Sequence, residues 1–250
     1  MKSPSPAAGP PVFLVPPGDL VKDVITLSGV EGHHAAAVRR LRQGERADVT
    51  DGAGTLAECV VTGVSRDRVV LAVRSAHEVP VPQPRITVVQ ALPKADRGEL
   101  AVELMTEVGV DSILPWSAER CVVRWEGDRE AKALSKWRGA AREASKQSRR
   151  AWITEITEVQ TLADVTERVA SAESAVLLEA GAAIPLSRLA LPGSGEIVLV
   201  VGPEGGVSPA ESAALRSAGA VEARLGPTVL RTSTAGAAAT SVLLSRCGRW

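Results

Sequence analysis

The chain has 250 residues, a formal net charge of zero, 45% hydrophobic and 2% aromatic residues. That length can bury one large core or two of ordinary size, and a zero net charge gives no bulk attraction to nucleic acid or membrane. Cys59, Cys121 and Cys247 are odd in number and far apart, which resembles neither a disulfide framework nor a metal clip, and no run approaches the ~18 apolar residues of a membrane helix; a soluble, cytoplasmic protein without metal is expected.

Met1-Lys-Ser-Pro-Ser-Pro-Ala-Ala-Gly-Pro10 has no apolar h-region, and residues 1–11 read as a disordered lead-in. Short alternating runs follow at 12–15, 24–27, 47–50, 55–64 and 68–73, with Asp51-Gly52 as a tight-turn signal. Only residues 32–41 look helical. Several short strands with one helix predict a small β-barrel over 1–80. Val79-Pro-Val-Pro-Gln-Pro84 reads as a stiff linker, because proline forbids helix and favours extended chain.

From Arg85 onward strands alternate with helices. Residues 86–92 form a buried-type strand. Asp96-Arg-Gly-Glu99 reads as a capping box, Leu100, Leu104 and Val108 repeat every four residues, and Gly109 supplies a C-cap. Further strands are expected at 112–114, 152–156, 175–178, 196–201 and 221–225, and helices at 130–147, 162–170, 209–217 and 232–247. This alternation predicts an α/β domain over 85–250, with a mainly parallel sheet covered on both faces.

At about 100° per residue, Leu134, Trp137, Ala140, Ala141, Ala144, Ser145 and Ser148 share one arc of the 130–147 helix. Lys132, Lys136, Arg138, Arg142, Lys146, Arg149 and Arg150 occupy the other, against only Glu143. This excess of one sign fits a strip that follows a phosphate backbone; an ordinary solvated face is the alternative. With no Tyr and one Phe, contacts by Arg and Lys are favoured over a stacking platform. His33 and His34 diverge by about 100° on a helix and read as surface or RNA-contact histidines rather than an acid–base pair.

Two glycine loops carry most of the chemistry. Ile197-Val-Leu-Val-Val-Gly-Pro-Glu-Gly-Gly-Val-Ser208 and Leu225-Gly-Pro-Thr-Val-Leu-Arg-Thr-Ser-Thr-Ala235 each follow an apolar run and lead into a helix. An α/β protein presents backbone to a ligand in this layout, so the pair predicts one bipartite pocket, with plain tight turns as the alternative. The Lys-Ser/Thr of a P-loop is absent, as is a G-x-G-x-x-G followed by an acidic residue ~20 positions on. No Ser-His-Asp or paired-carboxylate arrangement can be read.

Val201-Gly-Pro-Glu-Gly-Gly-Val-Ser208 followed by Leu225-Gly-Pro-Thr-Val-Leu-Arg-Thr-Ser-Thr-Ala235 resembles the RsmE family, the 16S rRNA uracil-N3 methyltransferases of the SPOUT superfamily. Gly32-His-His-Ala-Ala-Ala-Val-Arg-Arg-Leu-Arg42 with Asp51-Gly52 is similar to that family's PUA-like N-terminal domain. Lys94-Ala-Asp-Arg97, Thr106-Glu-Val-Gly109 and Ser117-Ala-Glu-Arg120 resemble its first helical block, and Trp137-Arg138 through Arg149 its basic helix. Two departures stand out. Pro11-Val12 precede Phe13 where the family usually has Arg, and Ser233 stands where the family usually has Glu, so no carboxylate base is available at that position.

The resemblance implies a SPOUT-type C-terminal domain with a deep trefoil knot, which sequence rules alone would reject, preceded by the PUA-like β-barrel. It implies S-adenosylmethionine as cofactor, held by Leu178, Val201, Gly202, Gly206, Leu225, Gly226, Val229 and Leu230. Arg231 and Glu204 become the catalytic candidates. His33, Arg39, Arg42, Lys94, Arg97, Lys136, Arg142, Lys146 and Arg149 become RNA contacts. The partners implied are 16S rRNA or the small ribosomal subunit and a second copy of the chain, with residues 232–244 offering small and apolar side chains for burial. The expected activity is methylation of a uridine N3. The alternatives are a SPOUT enzyme acting on ribose 2′-hydroxyls or another base, and a non-catalytic RNA-binding assembly factor.

Overall fold

The computed structural model describes residues 9–94 and 97–250. The lead-in up to residue 8 and the Asp96 end of the expected capping box lie outside the described residues. Two compact units divide the chain: one runs up to Val81 and takes in Ser145–Ile153, and the other comprises Pro82–Ala144 and Thr154–Trp250.

The first unit is a five-stranded sheet of β1 (Val12–Leu14), β2 (Val24–Leu27), β3 (Arg46–Thr50), β4 (Thr55–Ser65) and β5 (Arg68–Glu78), in the order β1-β3-β4-β5-β2. Only β1 and β3 are parallel. Alternation puts Ala57, Cys59 and Val61 of β4 and Val69 and Leu71 of β5 into a core with Phe13, Ile25, Leu27 and Val49. Ahead of β1, the Pro11 carbonyl accepts the Asp48 amide at 2.9 Å. Burial pushes the Cys59 thiol up to about 11, with Asp48 adding to it, so this cysteine is inert at neutral pH.

The expected 32–41 helix is instead a short helix α1 (Gly29–His33) running into a π turn, His34–Val38. Its register follows from Gly32, where a Cβ would lie 2.4 Å from the Asp67 carbonyl oxygen. The helix stops because Arg40 is left-handed at φ +55 and the Leu41 amide reaches back to the Ala35 carbonyl at 3.0 Å.

The expected 152–156 strand is split between the units. Gly54 donates to the Ala151 carbonyl at 3.0 Å and Ile153 to that of Gly52 at 3.0 Å, while the Trp152 indole donates to the Val79 carbonyl at 3.0 Å. These bonds hold 151–153 against the first unit, and only Glu155–Ile156 remains as strand β8.

In the second unit β6 (Arg85–Ala91), β7 (Ser112–Trp116), β8, β9 (Ser174–Leu178), β10 (Glu196–Val201) and β11 (Val221–Ala223) form one sheet in the order β11-β9-β10-β6-β7-β8. Every pairing in it is parallel. Its helices are α2 (Arg97–Val108), α3 (Asp128–Gln147), α4 (Leu162–Ser171), α5 (Pro209–Ser217) and α6 (Thr232–Arg246). Strand β10 shows why both faces are covered. Ile197, Leu199 and Val201 pack with Met105, Trp137 and Leu243, whereas Val198 and Val200 pack with Val165, Val169 and Leu215. Gly109 closes α2 at φ +108.

The small residues of α6 are spent on packing within the chain. Gly236 lets α6 approach α2 so closely that a Cβ there would lie 2.6 Å from the Met105 sulfur, and Ala239, Leu243 and Leu244 are fully buried. Beyond α6, Arg249 forms a bidentate pair with Asp111 at 2.6 and 3.1 Å. Asp111 also accepts the Ile86 amide at 2.8 Å. Both side chains are largely buried, so removing the cation takes the bidentate partner from a desolvated carboxylate. Arg249→Ala is expected to lower the unfolding free energy by about 3–5 kcal/mol in urea titrations; a loss under about 1 kcal/mol would mean the pair behaves as a surface contact.

Candidate active site

A cavity of about 530 Å³ opens where β9, β10 and β11 end. Leu178, Val201, Ala223 and Leu225 give it apolar walls, and both glycine loops line it. Lys94, Arg97, Glu179, Glu204, Arg224 and Arg231 supply its charged groups. The two loops therefore form one pocket rather than two unrelated turns. Of the expected cofactor residues, Leu178, Val201, Gly202, Gly206, Leu225, Gly226, Val229 and Leu230 all line it.

The two glycines of the first loop answer different demands. At Gly202 a Cβ would lie 2.7 Å from a Val207 methyl, so glycine lets the loop fold back on itself. Gly206 closes a turn by donating to the Pro203 carbonyl at 2.9 Å and does so at φ +72, a conformation that β-branched residues resist. Among the described residues, a Cβ there would meet nothing within 4 Å, so this glycine faces open space.

The second loop delivers α6 to the cavity by its N-terminus. Arg231 is the N-cap, extended at φ −70 and ψ 150, and its carbonyl accepts the amides of Thr234 and Ala235, both at 2.9 Å. Its side chain is exposed. Arg231 thus brings a guanidinium to the positive end of a helix, where developing negative charge is favoured. Ser233 is buried and is not among the cavity-lining residues.

Glu204 is exposed and accepts the Lys94 amide at 3.3 Å. It does not cap the helix that follows. That task falls to Ser208 and Glu211, which form a reciprocal capping box at the start of α5. Sequence reasoning missed Glu211, although its Ser208-Pro-Ala-Glu211 spacing is a readable signal. It also missed Arg120, which donates to the Gly205 carbonyl at 3.2 Å, and Arg224, whose guanidinium bonds the Ala182 and Ala183 carbonyls. Cys121 is buried, which raises its thiol and removes it as a nucleophile.

The expected RNA contacts are spread over both units. Lys94 and Arg97 line the cavity. In the first unit, Arg39 and Arg42 are exposed, His33 is exposed beside Asp67 at 3.3 Å, and the His34 ring packs edge-on against Phe13. Arg142 and Arg149 are exposed, as is Lys136, which pairs with Glu99 at 3.4 Å. Lys146 corrects the expectation. Its side chain is 3% exposed and bonded to Glu31 at 3.0 Å, so it fastens the first unit and has no surface to offer RNA.

Two family models match the chain: an RNA methyltransferase domain over residues 80–244 and an RNA methyltransferase PUA domain over residues 27–74. The ribosomal RNA small subunit methyltransferase E of Mycobacterium bovis is 46% identical over 91% of this chain and 88% of its own length. The chain belongs to the ribosomal RNA small subunit methyltransferase E family. The Bacillus subtilis member is 29% identical over 84% of this chain and 85% of its own. Among solved structures, the methyltransferase E of Neisseria gonorrhoeae bound to S-adenosyl methionine superposes with a TM-score of 0.83 at 26% identity, covering 95% of this chain and 98% of that one. A Legionella pneumophila protein solved with bound SAM gives 0.82 at 28% identity, covering 96% and 98%.

The burial contrast along α3 gives a prediction for this family member. Lys136→Ala, which removes an exposed pair with Glu99, is expected to lower the unfolding free energy by no more than about 1 kcal/mol. Lys146→Glu is expected to remove about 3–5 kcal/mol by setting a second carboxylate against the buried Glu31 in place of its cation. Equal, small losses in chemical denaturation would place Lys146 back on the solvated face.

Proposed function

We propose that this chain is an S-adenosylmethionine-dependent methyltransferase of small-subunit ribosomal RNA, and that its acceptor is N3 of a uridine in 16S rRNA. The observation that carries the reading is the single cavity built by both glycine loops at the strand ends, in a chain whose relatives are named for this activity. The residues fit the cofactor. The volume of about 530 Å³ lies within the ~300–1,000 Å³ usual for small-molecule sites. Apolar walls at Leu178, Val201 and Leu225 suit a flat purine, and the open backbone at Gly206 and Gly226 lets ligand approach main chain. When bound, this cofactor supplies an electrophilic methyl group on a positively charged sulfur.

The protein's share of the chemistry concerns the acceptor. Uridine N3 carries a proton, and its removal leaves negative charge spread onto the uracil oxygens. Arg231, at the N-terminus of α6, stabilises that charge. Glu204, which lines the cavity and accepts the Lys94 amide, takes the proton in this reading. Lys94 and Arg97 hold substrate phosphate at the cavity, and His33, Arg39, Arg42, Lys136, Arg142 and Arg149 extend the RNA contact.

The proposal includes the trefoil knot, the homodimer and a cytoplasmic site of action. Two observations support the knot. After β11, Arg224 pairs through its backbone with Ile184 and Leu186, and α6 then runs back to pack on α2, β6 and β10. Arg246, the last residue of α6, donates to the carbonyls of Leu186 and Leu189, so the 179–195 loop is tied to the chain before α6 and to the end of α6 itself. For the dimer, the support is exposed apolar surface on the cavity lining itself: Val229 is 84% exposed and Leu230 39% exposed.

Titration calorimetry of S-adenosylmethionine into metal-free protein is expected to give saturable binding. Gly206→Val is expected to weaken it by about 10-fold or more, because the side chain enters the open cavity and resists positive φ. Absence of heat at millimolar cofactor, with the protein folded, would overturn the catalytic reading in favour of an RNA-binding factor.

A further inference from the structure

Glu211 is 4% exposed, and main-chain amides engage both of its carboxylate oxygens. Oε2 accepts the Ser208 amide at 3.0 Å, and the Glu211 amide donates to the Ser208 hydroxyl at 3.3 Å. Those two bonds complete a capping box, which needs nothing more. The second oxygen does something a cap does not require. Oε1 accepts the amide of Glu119, from the segment that follows β7, at 2.7 Å.

The same segment touches the glycine loop a second time. Arg120, the next residue, donates to the Gly205 carbonyl at 3.2 Å, and its Cβ lies 3.4 Å from where a Gly205 Cβ would be. Residues 119–120 are therefore fastened to the loop at Gly205 and, through Glu211, at Ser208. Between these fastenings sits Gly206 at φ +72, with no side chain of its own to hold it in place. A glycine in that position is free to leave its conformation unless its neighbours are fixed.

We infer that Glu211 is a positioning residue for cofactor capture, whose buried carboxylate clamps the glycine loop of the cavity to the segment after β7. The inference rests on the proposed cofactor site. Its bonds act on the loop backbone, so Glu211 sets the loop's shape without lining the cavity itself. A carboxylate suits this role because it is acceptor-only and can serve two donors at once, whereas a glutamine amide would turn a donor toward one of them.

The test compares Glu211→Gln with Ser208→Ala, measuring S-adenosylmethionine affinity by calorimetry and stability by thermal melting on full-length protein. Ser208→Ala deletes the cap hydroxyl but leaves both carboxylate bonds, so it is expected to lower the melting temperature and keep affinity within about 2-fold. Glu211→Gln is expected to weaken affinity by about 10-fold or more in protein that is still folded, since small displacements of a positioning group are costly. If Glu211→Gln does not fold, Arg120→Ala cuts the Gly205 fastening at an exposed residue and is expected to weaken affinity in the same direction. Wild-type protein that binds no cofactor would overturn the site reading itself. Wild-type protein that binds, with Glu211→Gln folded and binding equally well, would reduce Glu211 to a helix cap; where Glu211→Gln does not fold, Arg120→Ala binding as well as wild type would overturn the clamp between the loop and the segment after β7.

Discussion

In a parallel sheet all strands finish on the same side, so the loops after β9, β10 and β11 are delivered to one end of the second unit. The apolar run of β10 makes this arrangement obligatory. With Ile197, Leu199 and Val201 facing one helical layer and Val198 and Val200 the other, the strand can sit only in the interior of a doubly covered sheet. Its exit must then turn sharply, and Gly202 and Gly206 supply that turn for separate reasons of space and backbone sign. The cavity, its charged rim and the approach of α6 all follow from that exit.

Charge in this molecule is used in two ways. Asp111, Glu31 and Glu211 are carboxylates drawn into low-exposure sites, and each is engaged by groups distant in sequence: Arg249, Lys146 and the Glu119 amide. Desolvation makes such groups costly unless fully partnered, so each fixes the relative position of the segments it joins. Arg231, Glu204, Lys94 and Arg97 instead line the cavity. They are the groups that can meet a charged substrate, and solvent moderates what they contribute to stability.

The glycine loops were legible because their signals are local: an apolar run, a Gly-Pro pair and a following helix. The same holds for Gly109 as a C-cap and for the alternation of β4 and β5. What escaped the sequence depends on partners far along the chain. The 152–156 run has strand chemistry throughout, but which unit receives it is decided by bonds to Gly52, Gly54 and Val79. Lys146 projects onto the basic arc of α3, yet Glu31 draws it inward. The helix expected at 32–41 starts earlier, at Gly29, and its second half is a π turn ending at Val38, because Gly32 inside it serves a close approach to Asp67 that local periodicity does not reveal. At Glu211 the capping spacing was readable, and the bond to Glu119 was not.

The central claim is that this cavity directs a methyl group to uridine N3 of small-subunit RNA. Nucleoside mass spectrometry of small-subunit rRNA, from cells lacking this gene and from the same cells carrying it, tests that claim most directly. The account predicts that 3-methyluridine disappears with the gene and returns with the intact chain, while other methylated nucleosides stay constant. Unchanged 3-methyluridine, or loss of a ribose-methylated or differently methylated base in its place, would contradict it.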